Sequence, residues 1–303
     1  MNRNIHNVAA KGFSLKKFLI FVLIAFGWSW FWWFLFIAGI FEMPAETGTP
    51  DFDLLKAGPV ILIVLISPFG PTIGGFVVTA LSERKEGVKR LWKRFWKSGL
   101  STKWLLITLC FYPIMLLVIR YSAQVFAGTP QAPFPYLRQP WMLLPPFMAS
   151  ILHGGLSEEF GWRGFALPHL QSKMNALSAA LVLGLIEGCW HIPLIYMPGD
   201  SRAGMGILAL VLPYLIVGIS RSWIFNSTNG SVLAAVLFHA SGNTFGWFIP
   251  VNVPFPNYYY LIYLVFALLI LVVYGPNSLR RAEKQVKVKI ENLSLVSEGD
   301  NQI

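Results

Sequence analysis

Charge is scarce in this chain. Only 13% of its 303 residues are Asp, Glu, Lys or Arg, where an ordinary soluble domain carries about 25%. Acids are scarcer still, 14 against 24 Lys and Arg. Cysteine is nearly absent: Cys110 and Cys189 are the two in the sequence, and both sit in apolar runs. That excludes a disulfide framework and a cysteine-rich zinc module. The sequence has no His-Glu-x-x-His zinc-protease motif, no internal repeat and no stretch that reads as a soluble domain. Together these absences exclude a disordered chain, a fibrous repeat and most soluble enzymes.

Apolar residues are abundant instead. They make up 55% of the chain, 15% of residues are aromatic, and the mean hydropathy is +0.58. The expected fold class is all-α, a polytopic transmembrane helix bundle. A helix needs about 20 apolar residues to span a bilayer, which leaves room for about eight spanning helices. The apolar runs are 18–41, 60–81, 104–121, 141–157, 176–196, 205–225, 231–250 and 258–274. The first is too long for a signal-peptide core and has no small-residue cleavage site, so it is expected to be retained. Pro68, Gly70, Pro71, Gly74 and Gly75 should kink the second. Gly70-x-x-x-Gly74 and Gly242-x-x-x-Gly246 permit close helix approach.

The net charge of +10 reads as an orientation signal and as contact with anionic lipid rather than with nucleic acid. Residues 1–17 form a basic N-terminus with Arg3, Lys11, Lys16 and Lys17. Residues 82–103 form a basic loop with Arg84, Lys85, Lys89, Arg90, Lys93, Arg94, Lys97 and Lys103. Residues 275–303 form a polar tail with Arg280, Arg281, Lys284, Lys287 and Lys289. The connection between the first two runs is acidic, with Glu42, Glu46, Asp51 and Asp53 against Lys56. An even number of spans puts all three basic segments on one side, the cytoplasmic side, so both termini are expected there. The membrane domain is 18–274, in the cell membrane if the host is bacterial. Leu91, Trp92, Phe95 and Trp96 between the loop charges suit either an amphipathic helix on anionic lipid or a plain orientation signal.

Three acids lie in or at the end of apolar segments: Glu158, Glu159 and Glu187. An ionisable group at membrane depth is expensive and marks a functional site by default. Glu159 and Arg163 are four apart, so they share a helix face and can neutralise each other. Glu158 points about 100° away and is left free. Two adjacent carboxylates repel, which suits one of them to act as a general base near neutral pH. The plainer alternative is a helix-end salt bridge. Glu187 and His191 also share a face, and a carboxylate there could fix the histidine's tautomer. His239 and Asn243 share a third face and could both donate to an oxyanion. An inter-helix polar clasp would use the same pair. On straight helices these groups would not meet at one depth, so a broken or tilted helix is required. His153 and His169 belong to no motif, and His169 is expected in a loop. Arg120 is expected to snorkel from the end of its span.

Glu158-Glu159-x-x-x-Arg163-Gly164, then Trp190-His191-Ile192-Pro193, then His239-x-x-x-Asn243 resemble, in that order, one family. It is the type II CaaX prenyl endopeptidase family, also called the CaaX protease and bacteriocin-processing (CPBP, Abi) family. The resemblance runs from Met142 to Trp247. It implies an intramembrane protease built as an all-helical bundle. Its catalytic set would be Glu158, Glu159, Arg163, His191, His239 and Asn243. Glu158 and His191 would activate a water, His239 and Asn243 would hold the oxyanion, and Glu159 with Arg163 would set the geometry. Glu158, His191 and His239 could also supply a zinc site with an open position, so metal-dependent and metal-independent hydrolysis both stay open. One position departs from the pattern: Glu187 stands where the second motif usually has Phe. It could strengthen His191 or bridge helices and alter the pocket.

The implied partners are membrane lipids and a membrane-associated peptide or protein substrate, of the prenylated CaaX type or of the bacteriocin or pheromone type. Two other classes remain at this stage. One is a non-catalytic immunity or scaffold protein of the same fold. The other is a proton-coupled transporter, which the missing inverted repeat disfavours.

Overall fold

A computed structural model of the protein describes residues 13–42, 54–96, 100–134, 136, 138–255 and 258–281. Arg3, Lys11, Glu46, Asp51, Asp53, Lys97, Lys284, Lys287, Lys289 and the side chain of Lys56 lie outside the described residues. Among the described residues every regular element is helical. The helices are α1 (Leu15–Ile37), α2 (Leu54–Ile66), α3 (Gly70–Trp96), α4 (Thr102–Ala127), α5 (Leu144–Ser150), α6 (Ser157–Glu159), α7 (Leu167–Gln171), α8 (Ala176–Trp190), α9 (Ile207–Ser227), α10 (Val232–Phe248) and α11 (Tyr258–Tyr274). A polytopic all-α bundle is therefore what the apolar runs form.

Among the described residues, five segments are long and apolar enough to cross a bilayer: Leu15–Ile37, Gly58–Trp96, Thr102–Ala127, Ala176–Tyr196 and Ile207–Ser227. The other three runs differ for local reasons. α10 and α11 have 17 residues each. The run 141–157 extends into a broken helix, 140–171, in which two π-helical stretches, Ile151–Leu156 and Phe160–Ala166, alternate with α5, α6 and α7. His169 lies in α7 and not in a loop. Its Nδ1 bonds the carbonyl of Phe165 at 3.0 Å, one turn back.

α3 is not straight. Arg84 has φ 56° and ψ −155°. Phe76 and Trp92 both pack against Phe160, at ring separations of 5.1 and 5.7 Å. Sixteen residues of continuous helix would part them by about 24 Å. The chain therefore turns at Arg84 and lays 85–96 across one end of the bundle. Lys85, Lys89, Arg90, Lys93 and Trp96 are exposed on that segment, while Leu91 is buried.

The same end collects further basic residues. Lys17, Glu83 and Arg94 lie within electrostatic reach of His169. The first turn of α8 bonds the segment after α11, through Ala176 to Asn277 at 3.1 Å and Leu177 to Pro276 at 2.9 Å. Lys173, Arg280 and Arg281 are therefore close by. At the opposite end Asp200 and Arg202 pair with each other.

Helices in a bilayer associate through close packing and hydrogen bonds rather than a hydrophobic drive. α1 shows both. Its Phe21 packs edge-on against Trp162 at 5.4 Å. Trp30 donates to the carbonyl of Trp190 at 2.8 Å, and Trp190 donates back to Ala25 at 3.1 Å. α1 thus anchors the end of α8, where His191 sits. Of the two Gly-x-x-x-Gly pairs, the first works as expected: a Cβ on Gly70 or Gly74 would strike the backbone of α1. In the second, Gly242 faces the Tyr112 ring and Gly246 faces open space, so it is not a helix-packing pair.

Candidate functional site

The break in 140–171 begins at His153 and Gly154. Their backbones leave helical geometry, His153 at φ −95°, ψ 100° and Gly154 at φ 109°, ψ −65°. A side chain rarely adopts the Gly154 conformation. A Cβ there would also stand 2.9 Å from both Asn243 Nδ2 and His239 Nε2. Those two side chains therefore converge on the Gly154 backbone. The loop is closed by the Gly154 N–H donating to Ser157 Oγ at 2.8 Å, and by Thr72 donating to the carbonyl of Leu156 at 2.8 Å. Further along, Arg94 donates to the carbonyl of Gly164 at 2.7 Å. Gly161 lets α3 approach closely, since a Cβ there would overlap the carbonyl of Pro71. Wide turns of this kind recur at functional sites. Here they supply the broken helix that the motifs require.

Glu158, Glu159, Arg163, Glu187, His191 and His239 are all buried. Glu159 accepts from His239 Nδ1 at 2.7 Å and lies 3.4 Å from Arg163. Arg163 also bonds Glu187, through Nη2 at 3.2 Å and through Nη1 to the second carboxylate oxygen. Arg221 Nη1 reaches Glu187 at 3.0 Å from α9. Three carboxylates thus face two guanidiniums. Glu159 and Glu187 take both of them. Glu158 lies within electrostatic reach of Arg221, Glu159, Glu187 and Arg163, yet its Oε2 is buried with no hydrogen-bond partner among the described residues.

The expected link from the Glu187 carboxylate to His191 is not made. His191 Nδ1 instead faces the backbone carbonyl of Glu187 at 2.8 Å, because the imidazole caps the end of α8 and folds back on its last turn. A carbonyl can only accept, so Nδ1 carries the proton and Nε2 of the neutral ring holds a lone pair. Tyr214 stacks on the ring at 4.4 Å and Trp190 meets it edge-on at 4.6 Å.

Asn243 and His239 also line a cavity of about 410 Å³. Its walls include Tyr112, Arg202, Met205, Tyr214, Arg221 and Tyr263. Arg202 is held by Asp200 through two bonds of 2.8 and 2.9 Å. Burial acts to raise the Asp200 carboxyl, but the bonds from Arg202 outweigh it and hold it below the usual carboxylate range.

Glu158, His191 and His239 do not stand as a ligand set. Among the described residues no three His, Cys, Asp or Glu side chains are grouped to hold a metal ion. The Nδ1 atoms of both histidines are engaged by Glu159 and by the Glu187 carbonyl, which leaves each Nε2 free.

Arg221, Arg202 and Tyr214 were not anticipated from the sequence. Arg221 carries a signal, a charge within the apolar run 205–225. Arg202 and Tyr214 carried none.

Residues 140–245 match the family described as type II CAAX prenyl endopeptidase Rce1-like. CAAX prenyl protease 2 of Methanococcus maripaludis is 28% identical over 103 residues, which cover 31% of this chain and 37% of that protein. The chain therefore spans well under half the length of the curated relative it matches. The matched segment holds every motif residue from Glu158 to Asn243.

Proposed function

We propose that this membrane protein is an intramembrane endopeptidase that hydrolyses a peptide bond of a membrane-associated substrate, with Glu158 activating the water. The observation that carries the reading is the contrast between adjacent acids. Glu159 accepts from His239 and pairs with Arg163, while Glu158, buried beside the same cluster, makes neither a hydrogen bond nor an ion pair among the described residues.

Glu158 takes a proton from water as the oxygen attacks the substrate carbonyl. The His191 Nε2 lone pair accepts a hydrogen bond from the same water and orients it. As the carbonyl π bond breaks, Asn243 Nδ2 and His239 Nε2 donate to the developing oxyanion. Glu159 on Nδ1 balances the charge that an imidazolium would carry there. Collapse of the intermediate breaks the C–N bond, and Glu158 returns its proton to the leaving amine. General base and oxyanion groups of this kind contribute about 10²–10⁴ each in rate. Glu187, the departure from the motif, is absorbed by Arg163 and Arg221 and leaves the His191 ring untouched. That supports an intact centre.

The test is cleavage of quenched fluorogenic peptides, prenylated and unprenylated, by detergent-purified protein. Glu158→Gln should lose activity by about 10³ or more, and wild type should keep it in the presence of a zinc chelator. Equal turnover by wild type and Glu158→Gln would remove the proposal. Loss of wild-type activity with chelator would replace its water activation with a metal.

A further inference from the structure

The basic segment 85–96 and the cavity mouth lie at opposite ends of the bundle. α8 starts at the basic end, so α9 starts and α10 ends at the far end. Helix α11 starts at the far end too. The cavity is lined by Met205, Ala209 and Pro213 from the loop before α9 and its first turns, by Tyr260 from the first turn of α11, and by Asn243 from the later turns of α10. Its floor, with Tyr112, Arg221 and His239, is the catalytic cluster. Ala209 and the loop residue Gly206 are exposed beside it. A hydrogen bond from Tyr260 Oη to the carbonyl of Ala209 at 3.1 Å joins α11 to α9 at the mouth. His191 closes the picture, since it caps the far end of α8.

Short-loop Lys and Arg mark the cytoplasmic side. From this we infer that the cleft opens to the non-cytoplasmic face, and that the substrate is an exported peptide segment presented at the outer leaflet. The inference rests on the hydrolytic reading and adds the substrate's side and character. The walls specify that character further. Both guanidiniums at the cavity are matched, Arg202 by Asp200 and Arg221 by Glu187. Met205, Leu210, Pro213 and Val217 line the cavity with apolar side chains. The segment admitted is uncharged and apolar, and the polar groups at the floor meet its backbone.

The experiment uses the full chain in intact cells, with Cys110→Ala and Cys189→Ala as background. Met205→Cys and Ala209→Cys report on the mouth, and Lys89→Cys on the basic end. A bulky membrane-impermeant maleimide is added before or after permeabilisation, and cleavage of an apolar reporter peptide anchored outside is followed in parallel. The mouth cysteines should label in intact cells and Lys89→Cys only after permeabilisation. Labelled Met205→Cys should lose reporter cleavage. Mouth cysteines that label only after permeabilisation, or on neither side, overturn the inference, as does Lys89→Cys labelling from outside. These outcomes leave the hydrolytic reading standing if cleavage still depends on Glu158. Cleavage that survives Glu158→Gln removes that reading without altering the labelling result.

Discussion

His239 Nδ1 stands 2.7 Å from Glu159 Oε1, across 80 residues of sequence. The contact ties the middle of α10 to the single turn of α6 and turns His239 Nε2 toward Gly154. Glu159→Gln keeps an acceptor oxygen for the ring but removes the charge that offsets an imidazolium. Its kcat should fall by about 10²–10³ with KM little changed, the signature of lost transition-state stabilisation. Glu159→Ala should fall further and also loosen Arg163. Steady-state kinetics of the three proteins separates the two effects. A proportional rise in KM for Glu159→Gln would mean that the pair serves binding instead.

Glu187 and Arg221 are joined at 3.0 Å between α8 and α9, and each is buried or nearly so. Removing one partner strands a charge, at a cost of about 3–5 kcal/mol. Glu187→Leu and Arg221→Met should therefore each lower the melting temperature in detergent sharply. The double variant should recover much of the loss, because Arg163 still has Glu159. Additive losses in the double variant would show that the two side chains act independently.

Gly154 combines φ 109° with a Cβ position 2.9 Å from His239 Nε2 and Asn243 Nδ2. Gly154→Ala should destabilise by about 1–3 kcal/mol through the backbone alone. It should also displace both proposed oxyanion donors, so activity should fall by more than the folded fraction does. Comparing specific activity with the folded fraction from near-UV circular dichroism checks this.

Much of this was legible in the sequence because apolar runs and intramembrane acids are local signals. The runs became helices, and Glu159 and Arg163 pair as their spacing of four suggests, while His239 reaches Glu159 from across 80 residues. What the spacing hid was the form of the fourth run. A period of 3.6 residues describes neither π-helical stretch, and the reversal at His153 and Gly154 depends on Ser157, Thr72 and the packing of α3. The partner of His191 was misread for a related reason. At a helix end the ring finds the backbone carbonyl four residues back before it finds the side chain on that residue. The role of Arg221 is non-local, set by the packing of α9 against α8.

Asp200 and Arg202 close the loop beside the cavity with two bonds of 2.8 and 2.9 Å. The Asp200 carboxyl titrates below its unfolded value. Its contribution to stability is therefore fully present above the ordinary aspartate pKa of about 3.9, and it is lost as the pH falls through the lower folded value. The pair is partly exposed, with side chains 13% and 29% accessible, so its worth is about 1 kcal/mol or less. Asp200→Asn should lower the melting temperature slightly and equally at pH 7 and pH 5, and the gap to wild type should close on further acidification. It should also release Arg202 into a cavity whose charges are otherwise matched. Cleavage of a peptide with an acidic side chain near the scissile bond should then improve relative to an apolar one. A specificity ratio unchanged by Asp200→Asn would show that Arg202 does not face the substrate.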